Sequence, residues 1–80
     1  MESLMRVREI REIEVQGLGD RIKSARLDSS LSLSEIVEAV GVSRTYWYDI
    51  EKETLKGTLS IENVRIIEKV LCVDLGVNFE

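Results

Sequence analysis

The densest run of side chains suited to recognition chemistry lies between Leu33 and Lys52, LSEIVEAVGVSRTYWYDIEK. If the residues after Ser43 are helical, Trp47 and Ile50 point inward at a spacing of three. Arg44, Thr45 and Tyr48 then face the other way, with Tyr46 and Asp49 at the margin. An arginine can donate two hydrogen bonds to guanine, and an aspartate can accept one from the cytosine amino group. Thr45 and Tyr46 can touch a thymine methyl or a phosphate. Each good base contact is worth about 1–3 kcal/mol of discrimination. Catalysis has no comparable support. The chain has no His, its one cysteine, Cys72, has no activating partner in sequence, and no Gly-rich phosphate loop is present. The same counts exclude an intrachain disulfide and a standard structural zinc site, and no cofactor site is legible. Cys72 reads as a small buried apolar residue.

The elements that would position these residues are helical. Leu18, Ile22 and Ala25 give the apolar face of a first helix, Leu18 to Leu27, which also carries Arg21, Lys23 and Arg26 and ends at Asp28-Ser29-Ser30. Ser32-Leu33-Ser34-Glu35 is a capping box that opens a second helix, with Leu33, Ile36, Val37 and Val40 facing inward. Gly41 tolerates the positive φ of a tight turn and closes it. Ser43 is the N-cap expected for the third helix. Helix, tight turn and helix at this spacing make a helix-turn-helix. Residues 53–59 form a loop with Lys56 and Gly57 at its tip. Ser60 then caps a fourth helix, Ile61 to Cys72, with Val64, Ile67 (or Glu68) and Leu71 in its core stripe and Ile66 and Val70 as a second pair beside it.

The two ends read differently. In the first sixteen residues Leu4, Val7, Ile10 and Ile13 recur every three positions, which allows a helix. Ile13 and Val15 also alternate with Glu12, Glu14 and Gln16, which allows a strand. In the tail Val73, Leu75, Val77 and Phe79 alternate with Asp74, Gly76, Asn78 and Glu80, a period-two signal. A lone strand cannot satisfy its backbone, so the tail is expected to pair with Arg11 to Gln16, within one subunit or across a dimer, and to cover the Ile66/Val70 face. A frayed tail or a fifth short helix are the alternatives.

Eighty residues make one domain with a small core, which favours oligomerisation. The hydrophobic fraction of 44% and the absence of Pro exclude compositional disorder. The apolar runs are too short for a signal peptide or membrane span, so a cytoplasmic protein is expected. The formal charge is −4. Binding to DNA gains affinity from Lys and Arg against phosphates, so this balance counts against it, although a basic patch can sit on an acidic body.

The runs LGDRIKSARL, LSLSEIVEAVGVSRTYWYDIEK and SIENVRIIEKVLCV together resemble the XRE/Cro family of lambda-repressor-like helix-turn-helix domains, over about Leu18 to Val73. The resemblance implies an all-α helical bundle, here with a small β-ribbon from arm and tail. Its divisions are an arm over 1–16 that the family core does not need, a helix-turn-helix domain over 17–73 and a strand-like tail over 74–80. It implies that the third helix enters the major groove. Arg44, Thr45, Tyr46 and Asp49 would then read bases. Ser43 and Tyr48 would meet phosphate or sugar, and Lys52 and Lys56 the backbone beyond. It also implies a structural ion pair between Arg26 and Glu51. The chain departs from the family at Leu33, where Gln is frequent, at Val37 and Glu68, where small residues are usual, at Trp47, which replaces a smaller aliphatic residue, and in lacking the loop Pro. The expectation is a regulator binding double-stranded DNA as a homodimer, since one small module buries little DNA surface. The second expectation is a protein-interaction module, antitoxin-like or an adaptor, with Tyr46, Trp47 and Tyr48 as anchors.

Overall fold

The N-terminal arm is a β-hairpin. The computed structural model describes residues 4–8 and 12–78. In it β1 (Leu4–Arg8) and β2 (Glu12–Gln16) pair antiparallel, with Leu4 opposite Gln16 and Arg8 opposite Glu12. On its other side β1 pairs in parallel with a two-residue strand, β3 (Leu59–Ser60), through Val7–Leu59 and Arg8–Ser60. The sheet is therefore mixed, in the order β2-β1-β3. The expected all-α bundle is overturned: the chain is α+β. Alternation decides the hairpin. Met5, Val7 and Val15 are buried, while Arg6, Arg8, Glu12 and Glu14 are exposed. That period of two prevails over the three-residue recurrence of Leu4, Val7 and Ile13; Ile10 and Arg11 lie outside the described residues. On the outer face Arg8 sits 3.5 Å and Arg6 4.0 Å from Glu12, exposed pairs that add little stability.

The helices form where local signals put them. They are α1 (Leu18–Asp28), α2 (Leu33–Val40), α3 (Arg44–Lys52) and α4 (Ile61–Leu71). Ser32, Ser43 and Ser60 each accept from the amide three residues on, and Glu35 completes the capping box on Ser32. Gly41 ends α2 in the left-handed region, at φ 85°. Helix α1 has no side-chain cap of its own. Glu53, just past α3, supplies one from a distance, accepting from the Gly19 amide at 2.9 Å. Only glycine fits there, because a Cβ on Gly19 would fall 2.9 Å from the Ile50 carbonyl oxygen and closer still to that of Glu51.

Three further expectations are corrected. The tail forms no strand with the arm among the described residues. Leu75 and Val77 are buried as their alternation implies, but side chains take up the tail backbone. Glu68 accepts from the Leu75 amide (2.7 Å), and Arg21 and Arg65 donate to the carbonyls of Leu75 (2.6 Å) and Val77 (2.7 Å). With those groups satisfied, and Gly76 turning the chain at φ 73°, no ladder partner is needed. Phe79 and Glu80 lie outside the described residues. The Ile66/Val70 face is only half covered: Val70 packs against the core, but Ile66 is 39% exposed, and no ribbon of arm and tail forms to cover it among the described residues. Cys72 is exposed, not buried, since it takes the left-handed position (φ 56°) that ends α4.

The hairpin is part of the core. Met5, Val7 and Val15 share one cluster with Leu18, Trp47, Leu59 and Val64. A Val7→Asp substitution should leave an unpaired charge in that cluster and cost about 3–5 kcal/mol, a large share of the roughly 4–12 kcal/mol available to a domain this size. Thermal melting followed by circular dichroism checks this; a midpoint close to wild type would mean the arm is dispensable.

Candidate nucleic-acid interface

Helix α3 is held from below by a buried polar network. Arg26 of α1 donates to Glu51 through Nε (2.5 Å) and Nη2 (3.0 Å), and the Trp47 indole Nε1 donates to the same carboxylate at 2.6 Å. The Glu51 side chain is 4% exposed and that of Arg26 17%. The hydrogen bond to Glu51 holds the Arg26 guanidinium above its usual pKa, against the opposing effect of burial. The ion pair implied by the resemblance is thus present, and Trp47 extends it. Trp47 and Ile50, both fully buried, complete the inner face. With three donors aimed at one buried carboxylate, the helix can neither rotate nor slide without stranding a charge.

The opposite face is open. Ser43, Arg44, Thr45, Tyr48 and Lys52 are exposed, and Tyr46 and Asp49 are half-buried. Lys52 Nζ stands 6.0 Å from the Tyr48 ring centre, at the outer limit of a cation–π contact. Arg44 reaches back across the turn, and its Nη2 donates to Ser34 Oγ on α2. Asp49 is partly occupied. It accepts from the Thr54 hydroxyl at 3.0 Å, while the Thr54 amide bonds the Asp49 carbonyl (2.9 Å). One carboxylate oxygen is thereby committed to ending the helix. Tyr46 and Asp49 share a cleft of about 470 Å³ with the loop Thr54–Thr58, which includes exposed Lys56. Helix α3 and the Lys56 loop therefore form one continuous surface.

A second groove, of about 310 Å³, runs between α1 and α3 and is lined by Asp20, Lys23, Arg26, Tyr48, Glu51, Lys52 and Glu53. It brings Lys23 beside Tyr48 and Lys52. Sequence reasoning missed Lys23, Ser34 and Thr54 as neighbours of the site. Only Thr54, five residues after Asp49 at a helix end, carried a local signal for its role. The other two reach the site only because the helices cross. Among the described residues no group of three His, Cys, Asp or Glu side chains is placed to hold a metal, and no helix is long and apolar enough to cross a membrane.

Comparison of the chain with protein-family models, curated proteins and solved structures finds no match.

Two consequences are measurable. Removing Glu51 as Glu51→Ala should strand Arg26 and the indole and cost about 3–5 kcal/mol in urea denaturation followed by Trp47 fluorescence. A loss below about 1 kcal/mol would mean the pair behaves as a surface ion pair. The capping box gives α2 a pH dependence. The Ser32 backbone amide, helped by the Ser32 hydroxyl, lowers the pKa of Glu35. Its stabilisation is therefore full above the ordinary glutamate pKa of about 4.3 and is lost as pH falls through the depressed folded value. Cα chemical shifts of residues 33–36 should move toward coil on acidification in wild type. In Glu35→Gln that movement should be absent, and an equal movement in both would remove Glu35 as the cause.

Proposed function

We propose that this chain is a sequence-specific DNA-binding regulator of XRE/Cro type, reading the major groove with α3 as a homodimer. The observation that carries the reading is the division of α3 into two faces. Trp47, Ile50 and Glu51 lock the inner face, while Arg44, Thr45 and Tyr48 stand exposed on the outer one. A rigid helix offering an arginine and hydroxyl donors suits base edges, and Lys52, Lys56 and Lys23 suit the flanking phosphates. Lys23, Lys52 and Lys56 are exposed around α3, and a local set of cations can serve DNA on a chain of charge −4, although Asp20, Glu51 and Glu53 line the same α1–α3 groove. Exposed Ile66, beside half-buried Val70, offers one apolar surface for pairing two copies; Leu27 and Leu4 are more exposed still. The cytoplasm is the compartment this reading expects.

A second reading has one observation in its favour. Tyr48 is 41% exposed on an acidic chain, and one oxygen of the Asp49 carboxylate is already committed to Thr54. A protein partner that buries Tyr48 and Tyr46 would use this face without DNA.

Selection from a randomised duplex pool at two salt concentrations separates the readings. The DNA reading expects an inverted repeat with half-sites about one helical turn apart, and affinity that falls with salt. Arg44→Ala should then lose about 1–3 kcal/mol on the selected site and little on unrelated DNA. No enrichment at low salt overturns the DNA reading in favour of the protein partner.

A further inference from the structure

The Ser34 hydroxyl has no task within its own helix. Ser32 Oγ already accepts from the Glu35 amide, and Glu35 returns a bond to the Ser32 amide, so the N-terminus of α2 is capped without it. A serine inside a helix ordinarily bonds back to its own backbone or faces water. Ser34 instead accepts from Arg44 Nη2, ten residues on and at the first position of α3. Among the described residues no carboxylate lies within ion-pair distance of Arg44. The Ser34 hydroxyl is therefore the side-chain partner of Arg44 among the described residues, and Arg44 stays exposed beside it.

The choice of partner matters chemically. A carboxylate would hold Arg44 more firmly but would cancel its charge and compete for its donors. A neutral hydroxyl takes one N–H of the five on a guanidinium and leaves four. Two of those four suffice for the bidentate bond to guanine O6 and N7. Free arginine side chains carry substantial rotamer entropy, and fixing one before binding removes that cost from the binding step.

We infer that Ser34 is a positioning residue: it orients Arg44 toward the O6/N7 edge of a guanine and so sets specificity for a G·C pair without touching the base. This rests on the DNA reading proposed above.

The test uses the full chain with Ser34→Ala and Ser34→Thr, and two readouts. The first needs no DNA: the NMR dynamics of the Arg44 guanidinium, assigned by the signal lost in Arg44→Lys. It should be restricted in wild type, released in Ser34→Ala and restricted again in Ser34→Thr. The second is the selected base profile. Ser34→Ala should lower the preference for guanine at one position by about two- to tenfold, the span expected for ordering one side chain. Affinity for unrelated duplex and the thermal midpoint should be unchanged, and Ser34→Thr should restore the preference. Equal guanidinium mobility in wild type and Ser34→Ala overturns the positioning role whatever DNA does. Released mobility with an unaltered base profile overturns the role in specificity. If wild type selects no sequence, the DNA reading itself has failed and the specificity role falls with it, a result distinct from both.

Discussion

One buried carboxylate organises this domain. Glu51 accepts from Arg26 and from the Trp47 indole, and these bonds tie the last turn of α1 to the buried face of α3. A buried ion pair is a poor source of net stability, because desolvation offsets much of the attraction. Its value here is geometric. Apolar contacts tolerate small rotations of a helix, whereas a bidentate guanidinium–carboxylate pair does not. Close by, Gly19 lets the α1 backbone press against the end of α3, and Glu53 caps α1 from the α3 side. Three devices at one helix crossing therefore fix which face of α3 looks outward.

The sheet does related work on the far side. By pairing with β3, strand β1 anchors Leu59 at the end of the loop that carries Lys56. The loop that borders the outer face of α3 is thus tied at both ends, by Thr54 on Asp49 and by Leu59 in the sheet. Arg21 links the remaining parts. Its guanidinium donates to the carbonyl of Gln16 at the end of the hairpin (2.7 Å) and to that of Leu75 in the tail. Arm and tail thus meet through one side chain instead of through a shared ladder. The buried alternation of Leu75 and Val77 looks like a strand in sequence, yet its backbone is satisfied by Arg21, Arg65 and Glu68.

The sequence by itself determined the helices, their starts and the turn between α2 and α3. The starts of α2, α3 and α4 and the turn depend on residues within four positions: Ser32 with Glu35, Ser43 with the Tyr46 amide, Ser60 with the Asn63 amide, and Gly41 in a conformation that side chains resist; the cap on α1 comes instead from distant Glu53. It also determined which residues of α3 face out, since helical periodicity fixes that once Trp47 and Ile50 are buried. Tertiary structure decided the rest. Whether Leu4 to Arg8 is helix or strand depended on finding Glu12–Gln16 and Leu59 as partners. Whether the tail pairs depended on distant arginines. Whether Arg44 is loose or held depended on a serine in another helix. A hydrogen bond from the side chain or backbone of one element to another element leaves no periodic trace in the chain, so these features exist only once the elements have packed.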